Sequence, residues 1–256
     1  MREYRLRMIR PQVRRRATSE ALAAALLIAL TACGPSVEPV ASPSASSSVD
    51  VSPSAEPSAS PTPTTDPTRP ALAELALSAD GLGPLALGSP PDEDPATRMV
   101  AFEPGACVSD ELGIAPGDPG ADLWRTDPAY ASTAPAYGPG TAFGVGVDRD
   151  TGVVNRVDLY SADIPTDGGV RIGDSGSSIA PAHPDATIVP EYLTDIHIAE
   201  GALGTLQIEV AKNPPGMEGD YWEGRAGTVV YIHAVTTDLG VFSVAASGNL
   251  VGVCGA

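Results

Sequence analysis

Thr205-Leu206-Gln207-Ile208-Glu209-Val210 alternates without a break, with Leu206, Ile208 and Val210 on one side of an extended chain and Thr205, Gln207 and Glu209 on the other. Successive side chains of a strand point to opposite faces, so this is the pattern of a half-buried sheet. Upstream, Phe143, Val145 and Val147 run into Asp148-Arg149-Asp150-Thr151-Gly152 and out through Val153, Val157 and Leu159, which predicts a β-hairpin. Further strands are expected over residues 229–235, 241–246 and 250–254. The C-terminal half therefore reads as an antiparallel sheet.

An internal repeat sets the expected fold class. Gly83-Pro84-Leu85-Ala86-Leu87-Gly88-Ser89 aligns with Gly168-Gly169-Val170-Arg171-Ile172-Gly173-Asp174. In each copy alternating aliphatics make a short strand, a Gly breaks it, and Ser89 or Asp174 is placed to cap a following helix. Pro90, Pro91 and Pro95 crowd the first helix and Gly176 and Pro181 interrupt the second, so both helices are expected to be brief. The expectation is an α+β domain over residues 71–256, built from two strand-turn-short helix repeats at about 71–160 and 161–256.

Gly81-Leu82-Gly83-Pro84-Leu85-Ala86-Leu87-Gly88 and Thr166-Asp167-Gly168-Gly169-Val170-Arg171-Ile172-Gly173-Asp174-Ser175, closed by His183-Pro184-Asp185, carry a family resemblance. The chain resembles a group of actinobacterial secreted proteins and lipoproteins of unknown function that pair a Gly-Leu-Gly-x-Leu-x-Leu-Gly element with a Thr-x-x-Gly-Ile-x-x-Gly-Asp-Ser element. More distantly, the expected repeats look like the fold of secreted β-lactamase-inhibitor proteins and of small outer-membrane assembly lipoproteins. That resemblance implies protein binding, on the ground of fold alone.

The chain has 256 residues, 15 Lys and Arg against 32 Asp and Glu, and a net charge of −17. Seven of the bases precede residue 17, while Glu3 and Glu20 are the only acids before Cys33. Cut before Cys33, the chain keeps 8 bases and 30 acids, a net charge of −22. Such a surface repels phosphate backbones and anionic headgroups, which disfavours nucleic acid as a partner. With 27 Gly and 26 Pro against 3 Phe, 7 Tyr and 2 Trp, a long helical bundle is also disfavoured.

Residues 21–31 form an apolar run between an Arg-rich stretch and Ala32-Cys33-Gly34. A span needs roughly 20 apolar residues, so the order of blocks is that of a secretory signal peptide over residues 1–32. Leu30-Thr31-Ala32-Cys33 resembles the bacterial lipobox, which implies a diacylglycerol-modified Cys33 as the first mature residue and the membrane as a partner through that lipid. A freely secreted protein and an uncut signal anchor are the alternatives. Met8 is an alternative start, and the support that Arg14-Arg15-Arg16 lends a twin-arginine signal is weak. Residues 34–70 hold nine Pro, ten Ser and four Thr, a composition that cannot offset the entropy of ordering and reads as a linker. Its reach lies between about 35 Å as a coil and about 115 Å as polyproline helix. Clustered Ser and Thr beside Pro also suit O-glycosylation.

With Cys33 assigned to lipid, Cys107 and Cys254 remain as a pair in an exported domain and are expected to form a disulfide; free buried thiols and a metal pair are the alternatives. Closing a loop of about 148 residues stabilises by up to about 5 kcal/mol in the chain-entropy picture. Gly173-Asp174-Ser175-Gly176 looks like a serine-protease nucleophile segment, yet His183, His197 and His233 all follow Ser175, the reverse of that order. It also resembles the lipase and esterase pattern, without the Asp-x-x-His that pattern needs. The aligned Ser89 offers a repeated turn as the plain explanation. Asp148-Arg149-Asp150-Thr151-Gly152 has alternate carboxylates like a calcium loop, but its Gly comes early and its closing Glu is missing. A hairpin turn explains it better, and no metal or cofactor is expected.

Tyr221 and Trp222, set among Glu218, Asp220, Glu223 and Arg225 between two expected strands, form the candidate binding loop. The competing expectation is that they fold back over the sheet. Together these features predict a non-catalytic, membrane-anchored extracytoplasmic module that binds a protein or cell-wall component. A serine hydrolase using Ser175, testable with a fluorophosphonate probe, and a passive envelope protein are the rivals.

Overall fold

Residues 68–255 are described by the computed structural model. The expected leader, Cys33 and the linker up to residue 67 lie outside the described residues. The linker's expected last residues are tied down: Arg69 Nη1 pairs with Asp127 at 2.7 Å, and Tyr130 OH donates to the Pro70 carbonyl at 2.9 Å.

Among the described residues there are eleven strands: β1 (Leu77–Ser78), β2 (Gly81–Leu82), β3 (Leu85–Ala86), β4 (Val100–Glu103), β5 (Leu123–Thr126), β6 (Phe143–Val147), β7 (Val154–Leu159), β8 (Thr187–Pro190), β9 (Thr194–Glu200), β10 (Gly204–Ala211) and β11 (Val229–Thr236). Six make one antiparallel sheet in the order β6-β7-β11-β10-β9-β8. β1-β2-β3 form a small meander, and β4-β5 a separate hairpin.

The sheet grows from local chemistry. The β6-β7 turn closes because the Asp148 carboxylate accepts from the Asp150 and Thr151 amides and the Thr151 hydroxyl, while Gly152 supplies the left-handed φ of 71°. On β10, Leu206 and Ile208 lie opposite Ala234 and Ile232 of β11, which lie opposite Val157 and Leu159 of β7. These side chains pack on Leu77, Leu82, Leu85 and Leu87 from the meander, and on Ile179 and Val170. Each such aliphatic, fully buried, stabilises by roughly 1.5–3 kcal/mol, so this face is the main core.

The expected α+β repeat architecture is not what forms. The first copy turns from β2 into β3 and is followed by no helix over residues 89–99, where Pro90, Pro91 and Pro95 fall. In the second copy residues 168–174 form no strand. Ser175, rather than Asp174, then caps a 3-10 turn (Gly176–Ser178) leading into the four-residue α1 (Ile179–Ala182). Strands from both supposed halves join one sheet, so the fold is predominantly antiparallel β. The strands expected over 241–246 and 250–254 do not form either. That stretch holds the four-residue α2 (Val244–Ser247) and irregular chain crossing the sheet's second face.

Candidate functional site

The Cys107–Cys254 disulfide is present, with Cα atoms 5.2 Å apart, and ties the loop after β4 to the end of the chain. Beside it opens a cleft of about 530 Å³ between the β4-β5 hairpin, the β6-β7 turn and residues 249–253. Phe102 and Trp124 face each other across β4 and β5, with ring centroids 5.4 Å apart. Trp124 is half-buried against the main core, while Phe102 remains 48% exposed. Arg149, at the hairpin tip, reaches the same cleft and makes no ion pair among the described residues. The neighbouring carboxylates are engaged: Asp122 accepts from the Gly105 amide, and Asp148 holds its own turn. Phe102 and Trp124 do not stand out in the sequence, because their pairing depends on a register across 22 residues, and Arg149 stands there only as part of the hairpin turn.

Trp222 is not a surface anchor. It is 6% exposed, packs with Leu193, Ala211 and Val230, and its indole Nε1 donates to the Leu193 and Lys212 carbonyls at 3.1 and 3.0 Å. Only Tyr221 of that pair is exposed, at 46%, with its ring edge-on to Trp222. The charges around Trp222 in sequence concealed the two backbone acceptors that draw it inward.

Ser175 Oγ lies 2.9 Å from Ser177 Oγ and accepts from the Ser177 amide, which makes it a cap. No imidazole bonds to it among the described residues. His183 Nε2 instead meets Thr166 Oγ1 at 3.0 Å, and that hydroxyl accepts from the Val170 amide. Asp174 accepts from the Arg171 amide, while Gly169 and Gly173 take φ of 91° and 94°. Each residue of the Thr-x-x-Gly element that stood out in the sequence therefore stabilises a loop, and Thr166 itself is buried.

A second set of groups lies on the face of the sheet that the alternation of β10 marks as polar. Gln207 of β10, His233 of β11, Asp158 of β7 and Gly144 of β6 form one cross-strand row. Arg156 and Glu209 lie on the same face, and all five polar side chains are buried. Arg156 Nε and Nη2 hold Asp158 at 2.6 and 2.8 Å. Burial pushes the Asp158 carboxyl up to about 6 although Arg156 opposes the shift. Burial, helped by the Arg156 charge, pushes His233 down to about 3. Glu209 accepts from Thr194 Oγ1, Ser243 Oγ and the Val244 amide. No cluster of metal-ligating side chains occurs among the described residues, and no helix there is long and apolar enough to cross a membrane.

No family model and no curated protein sequence matches the chain. Among solved structures it is similar to the uncharacterized protein yfeY from Escherichia coli, at 19% identity and a TM-score of 0.35 over 62% of this chain and 99% of that one. A likeness at this level says nothing about function.

Proposed function

We propose that this protein is an exported lipoprotein, anchored through Cys33, whose folded part is a recognition module taking a protein segment at the Phe102–Trp124–Arg149 cleft. The lipobox-like Leu30-Thr31-Ala32-Cys33 and the Pro/Ser/Thr-rich linker support the anchor and its reach. A disulfide between Cys107 and Cys254 suits an oxidising compartment, since such bonds are rare in the cytosol.

The single observation that carries the recognition reading is the exposed Phe102 ring standing over an open cleft beside Arg149, a cation with no ion pair among the described residues. Aromatic side chains and Arg are enriched where protein interfaces bury most energy, because they desolvate a large area while ordering few rotamers. The groups lining the cleft can bury apolar surface and pair a carboxylate, which is the chemistry of holding a ligand.

A photo-crosslinking residue at position 102 in intact cells tests this, with the exposed Leu239 as the control position. One stoichiometric protein adduct is expected from position 102 and none from 239, and Arg149→Glu removes it. Label carried only by insoluble wall material, or no defined adduct, overturns the protein-segment reading.

A further inference from the structure

The sheet's second face is covered by residues 240–251, and the way it holds them differs from ordinary packing. Gln207 Nε2 donates to the Gly240 carbonyl at 2.8 Å while its Oε1 accepts from the Phe242 amide at 3.3 Å. Arg156 Nη2 donates to the Asn249 carbonyl at 2.8 Å while its partner Asp158 accepts from the Val251 amide at 3.2 Å. In an extended chain the carbonyl of one residue and the amide of the next but one face the same side, so each pair grips the main chain as a neighbouring strand does. Between the two grips Glu209 accepts from the Val244 amide and the Ser243 hydroxyl. Tyr160 OH adds a bond to the Val251 carbonyl.

Nearly all of these bonds go to backbone, which every peptide carries. Of the covering residues only Ser243 and Val244 are buried, and what lies beneath is largely polar. Lifting a cover from such a face returns charges and amides to water rather than exposing a bare apolar core, so separation is far less costly than for the opposite face. Under this cover, beneath the stacked Phe242 ring, His233 Nδ1 is buried with no partner among the described residues. An occupant with a donor at this position would meet that acceptor. Gly144 completes the groove, since a Cβ there would stand 2.3 Å from the Val251 carbonyl oxygen.

We infer that the row Gln207–His233–Asp158, with Arg156 and Glu209, is a binding groove for a peptide segment gripped at two points along its main chain, and that residues 240–251, which make one helical turn over Val244–Ser247 between the grips, are its tethered occupant, latched by the Cys107–Cys254 bridge. The ligand class is a peptide segment recognised mainly through its main chain, with an aromatic ring where Phe242 stacks on His233 and mostly small or aliphatic side chains elsewhere, like the tethered one. This inference does not rest on the anchored-recognition reading, although residues 249–251 also form one wall of the cleft.

Hydrogen exchange on the full chain, wild type against the Cys107→Ser/Cys254→Ser variant, tests it. In the variant the Phe242, Val244 and Val251 amides are expected to exchange at least about tenfold faster, while amides of β7, β10 and β11 keep their protection. A fluorescent synthetic peptide of residues 239–253 is then captured by the variant and not by the wild type, and adding Gln207→Ala abolishes capture. If the variant does not fold when expressed, folded wild type reduced with a phosphine shortly before measurement replaces it. Unchanged protection of the three amides, loss of sheet protection together with theirs, or failure to capture the peptide overturns the inference.

Discussion

Gln207 and His233 lie directly opposite each other on β10 and β11, with Oε1 and Nε2 3.1 Å apart, both side chains buried on the face that alternation marks as polar. The neutral imidazole donates from Nε2 to the amide oxygen, and a second ring proton would have no acceptor among the described residues. The environment thus opposes protonation of His233.

Stability should carry that signature. His233, ordinarily near 6.5 and held at about 3, contributes stability that is complete above pH 6.5 and lost as pH falls toward 3. Asp158, ordinarily 3.8 and raised to about 6, acts oppositely, because acidification from pH 6 to 4 relieves the burial of its charge. Where only one group binds the extra proton, the slope reaches about 1.4 kcal/mol per pH unit. His233→Gln removes the acid-destabilising partner and leaves Asp158. The melting temperature of the variant relative to wild type is expected to rise between pH 6.5 and 4, and a constant offset in paired thermal melts contradicts this.

Trp222→Ala should destabilise by roughly 3–5 kcal/mol through the cavity it leaves. Trp222→Phe should lose about 1–3 kcal/mol, because the Leu193 and Lys212 carbonyls lose their indole donor. Tyr221→Ala should change stability by no more than about 0.5 kcal/mol. Urea titrations of the three variants check the order.

Gly144→Ala places a methyl where the Val251 carbonyl and the Tyr160 hydroxyl already stand, at 2.3 and 2.6 Å. The covering segment must shift, and a loss of about 1–3 kcal/mol follows. The denaturation midpoint should fall without a change in slope, and the Val251 amide should exchange faster than in wild type.

Asp163 draws the Ser132, Thr133 and Ser161 hydroxyls and the Thr133 amide onto one carboxylate. Desolvation pushes its pKa up, but those hydrogen bonds outweigh it and hold the group well below 3.8. Its contribution is present above about pH 3.8 and fades as pH falls below that value. Asp163→Ala should lower stability at pH 7 by about 1 kcal/mol, discounted for the solvated loop, with the gap narrowing at pH 2 in denaturant titrations.

Local chemistry explains which parts of the fold were legible. The β6-β7 turn and the apolar side of β10 are visible because Asp148, Gly152, Leu206 and Ile208 act on near neighbours. The fate of Gln207 and Glu209 is not, because what covers them lies some 33 to 35 residues away. Residues 241–246 read as a strand in the sequence, yet their partners across the face are side chains and α2 begins at Val244. The repeat misled for a similar reason: Gly83 to Ser89 and Gly168 to Asp174 share turn glycines, while the sheets and bonds around them differ. The cleft stayed hidden because it needs the β4-β5 register and the Cys107–Cys254 closure together.

Intact-mass and tandem spectrometry of the membrane-extracted protein tests the central claim most directly. A mature chain beginning at Cys33, with a diacylglyceryl thioether on its sulfur, is the expected result. An unacylated chain, retaining residues 1–32 or released to the medium, contradicts the account of an anchored recognition protein.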